Sequence, residues 1–138
     1  MKISATTETL RNKAKPVTTD VTEFCKEFKQ FVLTHGCMSM TAPQVGYKRC
    51  IMAVKYRRTK RVYVMVNPAI KCASKKMVTS KERTLDAQKP VTLTKQRPIW
   101  VIFTYQTPNL KHTRQKVFFN RKAAAAMHAY EILNGTLR

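Results

Sequence analysis

Acidic side chains are what this sequence has least of. Seven Asp and Glu stand against 27 Lys and Arg, a formal net charge of +20 over 138 residues. Glu8, Asp20, Glu23 and Glu27 lie near the start, and Glu82, Asp86 and Glu131 are scattered later. From Lys29 to Lys81 there are 12 Lys or Arg and no carboxylate, and from Lys89 to Lys122 eight more with none. Long apolar runs are also missing. None approaches the roughly 20 residues needed to cross a bilayer, which argues against a membrane span. The opening MKISATTETLRNK has no apolar core of the kind a secretory signal carries. No CxxC pair occurs among Cys25, Cys37, Cys50 and Cys72. A chain of this length can build its core without disulfides, so the cysteines read as reduced, mostly buried thiols in a cytoplasmic setting.

What is present is globular: 43% hydrophobic and 25% charged residues. The length fits one domain spanning 1–138, with no repeat or linker to divide it. A surface with so little negative charge repels itself and calls for a polyanion. Nucleic acid is the first expectation. No strongly amphipathic basic helix is apparent that would lie on lipid instead.

The spacing of Phe24, Phe28, Phe31 and Val32 predicts a helix from about Val21 to Thr34. Asp20 or Thr19 suits its N-cap, and Gly36 its stop. The runs Cys50–Val54 and Val62–Val66 flank KYRRTKR and predict a β-hairpin with a basic tip. Asn67-Pro68 is expected to end the second strand. Met77–Arg83 and Pro90–Thr94 are weaker extended candidates, Ile99–Tyr105 a strong one, and Gln115–Phe119 its return after a turn at Thr107–Lys111. Four consecutive Ala at 123–126 predict a last helix from Arg121 or Lys122 to Leu133, capped by Asn120 and stopped at Asn134-Gly135. A helix, several strands and a helix make an α+β domain with mostly antiparallel sheet.

Several segments in this order resemble the peptide deformylase family. LRNKAKPV (Leu10–Val17) is similar to its L-R-x-x-A-x-P-V stretch, and CMSMTAPQVG (Cys37–Gly46) to its first motif, G-x-G-φ-A-A-x-Q-V-G. Arg49–Val54 and VMVNP (Val64–Pro68) resemble the strand pair that follows, and Ile99, Val101 and Phe103 an alternating strand. MHAYEILNGTL (Met127–Leu137) resembles the third motif and its tail, Q-H-E-x-D-H-L-x-G-x-L. The resemblance implies antiparallel sheets packed around a C-terminal motif helix. It also implies removal of the formyl group from new polypeptides, with a divalent metal held by one Cys and two His.

The motif residues depart from that pattern. His128 keeps the first ligand position, but Ala129 stands at the general base and Ile132 at the second His. The second motif, E-G-C-L-S, aligns with Glu82–Asp86, which puts Thr84 at the Cys ligand. Glu131 matches the acidic residue inside the third motif and suggests a supporting role. Gln44 and the Leu85 N–H fall where the family stabilises an oxyanion. Cys37 and Ser39 replace two glycines and should narrow the cleft, with Cys37 lining it. These substitutions lead to the expectation of a protein that is not an enzyme, in which Gln44, Leu85 and His128 are vestigial and neither metal nor cofactor is bound.

The basic residues then carry the functional expectation. Lys55, Arg57, Arg58, Lys60 and Arg61 form the hairpin cluster, Lys75, Lys76 and Lys81 a second, and Arg114, Lys116, Arg121 and Lys122 a third. Such side chains position phosphates without reading sequence. Tyr56 and Tyr63 flank the tip and suit either base stacking or cross-strand packing. The expected partner is RNA or the ribosome, with an effect on translation in the cytoplasm. The short chain resembles the minimal members carried by bacteriophages, which would make that the host cytoplasm. The alternatives are DNA or another nucleic acid, a hydrolase with a remodelled metal site, and an inhibitor that binds an acidic protein patch.

Overall fold

The computed structural model describes residues 1–84 and 91–137. The chain has two α-helices, α1 (Thr22–Thr34) and α2 (Arg121–Asn134), and seven strands among the described residues. In chain order these are β1 (Ser39–Thr41), β2 (Ile51–Tyr56), β3 (Arg61–Ala73), β4 (Met77–Thr84), β5 (Val91–Pro98), β6 (Trp100–Gln106) and β7 (Thr113–Phe119). Five form an antiparallel sheet in the order β1-β2-β3-β6-β7, and β4 pairs with β5 in a separate ribbon. The α+β class expected from the sequence is found.

Strand β2 explains the layering. Its run IMAVK is buried throughout because both faces are covered. Ile51 and Ala53 join Cys25, Phe28 and Val32 of α1 in one apolar cluster. Met52 and Val54 join Ala123, Ala126, Ala129 and Leu133 of α2 in another, with Val101, Phe103 and Phe118. A period of two sends alternate side chains to opposite helices. The small alanines let α2 lie close against the sheet.

Several details differ from the sequence reading. Val21 occupies the N-cap of α1, yet Asp20 supplies the hydrogen bonds: its Oδ1 accepts from the Thr22 amide at 2.8 Å and hydroxyl at 2.6 Å. Gly36 does not stop α1 in a left-handed turn. His35 ends the helix in extended backbone. Lys55 reaches across from β2, and its Nζ donates to the carbonyls of Leu33 at 2.8 Å and His35 at 2.7 Å. A cation at a helix C-terminus satisfies carbonyls that have no partner inside the helix.

Asn67-Pro68 does not end β3, which continues to Ala73 through two irregularities in its pairing with β6. Asn67 sits at φ 48°, a conformation Asn tolerates better than most residues. Its side chain accepts from the Val17 amide at 2.8 Å and donates to the Val17 carbonyl at 2.9 Å and to Gln106 at 2.6 Å. The dipeptide therefore ties the N-terminal segment to the sheet. Asn120 precedes α2 as expected, but at φ 53° and without a side-chain capping bond.

The expected extended segment Pro90–Thr94 falls within β5 from Val91 onward; Pro90, like Leu85 and Asp86, lies outside the described residues. The four cysteines are free thiols, two buried, Cys50 half-buried and Cys72 exposed. Among the described residues no helix is long and apolar enough to cross a membrane.

Gly135 closes α2 at φ 69°, and the Thr136 amide bonds back to the Glu131 carbonyl at 2.9 Å. A Cβ there would lie 2.7 Å from the Arg11 carbonyl oxygen, which is backbone and has little room to yield. Gly135→Ala should therefore destabilise the protein by about 1–3 kcal/mol from the left-handed conformation alone, with the clash adding to it. A lowered denaturant midpoint at unchanged m-value checks this.

Candidate functional site

The β4–β5 ribbon meets α2 through charge. Alternation along β4 turns Glu82 and Thr84 inward and leaves Lys81 and Arg83 exposed. From β5, Arg97 enters the same space and is only 2% exposed. Its Nε and Nη2 donate to the two carboxylate oxygens of Glu82, each at 2.8 Å. Its Nη1 lies 2.9 Å from Glu131 of α2, which also meets Lys95 at 3.7 Å. One turn back on α2, His128 Nδ1 lies 2.7 Å from Glu82 Oε1, and Nε2 lies 3.3 Å from the Thr84 hydroxyl. A guanidinium can serve two carboxylates because its donors form a planar fork.

Burial raises the Glu82 carboxyl, but hydrogen bonds from Arg97, His128 and Ser80 outweigh it and hold the group at about 2. Burial also works against the charged Arg97, while Glu82 and Glu131 keep it protonated. With Glu82 ionised, Nδ1 of His128 is the N–H that donates to it. In the neutral imidazole, Nε2 is left to accept from the Thr84 hydroxyl, a tautomer assigned from its partners.

His128 opens on a cleft of about 800 Å³. One wall is Gly36–Ser39 with Gln44, the second is Val78–Arg83 of β4, and α2 closes the third with Ala124 and Ala125. Gln44 is buried, and its Oε1 accepts from the Thr41 amide at 2.8 Å and hydroxyl at 3.0 Å. It thus hydrogen-bonds the fold while lining the cleft. Cys37 also lines the cleft, its thiol pushed up by burial against the opposing pull of Lys55 and Arg57.

The metal implied by the resemblance does not fit these residues. Thr84 offers a neutral hydroxyl where a thiolate would bind, and both nitrogens of His128 are engaged by protein groups. Ile132 has no donor atom and packs with Leu10 and Leu137. Ala129 is buried in the apolar cluster under the sheet. Among the described residues no three His, Cys, Asp or Glu converge to hold an ion.

The three basic clusters join in space. Lys122 lies 5.5 Å from the Tyr56 ring, and Lys116 lies 5.4 Å from Tyr56 and 4.4 Å from Tyr63. Arg57 and Arg121 both line the cleft. The carbonyl of Lys76 accepts from the Ile99 amide at 3.3 Å, and the carbonyl of Ile99 from the Asn120 amide at 2.8 Å. The turn bearing Lys75 and Lys76 therefore lies beside the start of α2. Arg114 is exposed two residues before Lys116 on β7, and Arg58, Lys60 and Arg61 are exposed at the hairpin tip.

Lys55 does not belong to this surface. It is buried and committed to the end of α1, so its place among the RNA-binding residues is corrected. Tyr56 and Tyr63 meet edge to face at 5.2 Å and both pack on Phe118, the cross-strand alternative from the sequence. Arg97 was missed because a single Arg in VTLTKQRP gives no periodic sign of burial.

Arg97→Met should cost about 3–5 kcal/mol, since it leaves buried carboxylates without their partner. Urea unfolding at neutral pH measures this. Glu82 titrates below its ordinary value of 4.5, so its contribution is complete above pH 4.5 and is lost as pH falls through about 2. Stability should decline across that interval, and less steeply in Glu82→Gln, which starts from a lower value.

The polypeptide deformylase family model matches residues 3–138. No curated protein matches the chain. Solved structures share the fold. A class I type b peptide deformylase from Acinetobacter baumannii superposes with TM-score 0.82 at 23% identity, covering 98% of this chain and 93% of that one. A Plasmodium falciparum peptide deformylase gives 0.83 at 22% identity, covering 99% and 83%. Arabidopsis thaliana peptide deformylase 1B gives 0.80 at 24% identity, covering 99% and 78%. The expectation that the protein is not an enzyme is overturned by these matches, because the chain belongs to the polypeptide deformylase family, a family of enzymes.

Proposed function

We propose that this protein binds RNA, with ribosomal RNA as the first candidate, and that it acts on translation in the cytoplasm. The observation that supports the reading is the joining of separate basic segments into one band around the cleft. Arg57, Arg58, Lys60 and Arg61 lie at one end, Lys116, Arg121 and Lys122 in the middle, and Lys75 and Lys76 beside the start of α2. None of these side chains forms an ion pair among the described residues. Two of the chain's seven acids, Glu82 and Glu131, are turned inward to Arg97. Cations that are unpaired among the described residues suit a phosphate backbone. Structured RNA is favoured over DNA by analogy, because peptide deformylases work on new polypeptides where ribosomes make them.

Binding of ribosomal RNA fragments should weaken steeply with salt. Replacing Arg58, Lys60 and Arg61 by Glu should lower the slope of log K against log[salt] by about 0.7–0.9 for each phosphate that is no longer neutralised. An unchanged slope would remove the hairpin from the interface. Duplex DNA bound as tightly as RNA would favour the broader nucleic-acid reading.

A second reading is hydrolysis in the cleft by a rebuilt site, favoured by family membership and by the imidazole held between Glu82 and Thr84. A His held by Glu82 at Nδ1 is the arrangement of a general base once Nε2 exchanges the Thr84 hydroxyl for a substrate water. Formyl-peptide turnover that survives a chelator and disappears in His128→Gln would support it. Turnover that requires added metal would place the chemistry elsewhere.

A further inference from the structure

We infer that the cleft seats one unpaired ribonucleotide of a bound RNA strand, its phosphates on Arg57 and Arg121 and its base inside. The inference rests on the RNA reading and deepens it.

The cleft measures about 800 Å³, inside the range of about 300–1,000 Å³ typical of small-ligand sites. Among the described residues Arg57 and Arg121 line it, and Lys81 and Arg83 stand exposed on the strand that forms one wall. None is in an ion pair among those residues, and Arg57 makes one hydrogen bond, to the Gly36 carbonyl. The sole carboxylate of the described residues lining the cleft is Glu82, whose charge, with that of Glu131 behind it, is matched by Arg97 and Lys95. The site therefore carries uncompensated positive charge, and low-dielectric walls concentrate its field on an anion.

A free inorganic anion would need only the rim. The interior offers more. Met38, Val78, Ile99 and Ala124 present apolar surface, and Ser39 brings a hydroxyl among them. A flat heterocycle with hydrogen-bonding edges, attached to a phosphate, meets both demands. A peptide of acidic residues alone would satisfy the rim but leave the apolar interior unused. A base inside a duplex cannot enter, so the residue must be unpaired. The basic band continues from the rim on both sides, where it would track the flanking backbone.

The test is anisotropy of labelled RNAs on the full chain, comparing a single strand with a blunt duplex hairpin. Ala125→Trp and, on the opposite wall, Val78→Trp fill the cleft. Both positions are partly or largely exposed, and thermal melts report whether each variant is folded. The wild type should prefer the single strand, and either blocking variant should weaken single-strand binding about tenfold while duplex binding stays. Adenosine or uridine monophosphate should compete with the single strand, and inorganic phosphate at the same concentration should not. Equal single-strand binding by wild type and both folded variants would overturn the inference while leaving the RNA reading intact. Competition by an acidic peptide but by no nucleotide would also overturn it. Failure to bind either RNA would remove the RNA reading and this inference together.

Discussion

Arg97 is the group on which the placement of the cleft depends. Its guanidinium lies inside the protein, and it reaches Glu82 of the small ribbon and Glu131 of α2 at once. A buried charge without partners is very costly, so the three side chains must assemble together or not at all. That requirement docks a two-stranded ribbon, separate from the five-stranded sheet, onto the helix that carries His128. The ribbon then forms one wall of the cleft and the helix another. An apolar contact of equal area would tolerate sliding, whereas a two-carboxylate fork sets orientation and register.

The same network shapes the outside of the molecule. Carboxylates are scarce in this chain, and two of them are turned to the interior. The surface around the cleft is left with cations on the hairpin, on β7 and at the start of α2. Some cations have structural work as well. Lys55 closes α1, and Lys116 and Lys122 lie over the tyrosine pair that packs on Phe118. A count of Lys and Arg therefore overstates the surface available to phosphate, and position decides which of them remain.

Much of this was legible in the sequence. Both helices, the basic hairpin and the strong strand at β6 follow from period and β-branched runs, because each signal is local. The continuation of β3 past Asn67-Pro68 was not, since it depends on Asn67 bonding a segment fifty residues away. Thr84 and His128, which the resemblance puts at two metal-ligand positions, lie side by side in the structure, and Glu82 joins them. Arg97 gave no sign, because an ion pair across strands has no spacing to read. The step from altered motif residues to absence of enzymatic function went too far, since membership in a family of enzymes outweighs it.

Cosedimentation asks whether the basic band holds ribosomal RNA in a cell extract. Lysate containing this protein is resolved on a sucrose gradient, with and without RNase, and the fractions are probed for it. The account predicts that the protein travels with ribosomal particles at moderate salt and moves to the top of the gradient after RNase. A protein that stays at the top in both gradients would contradict it.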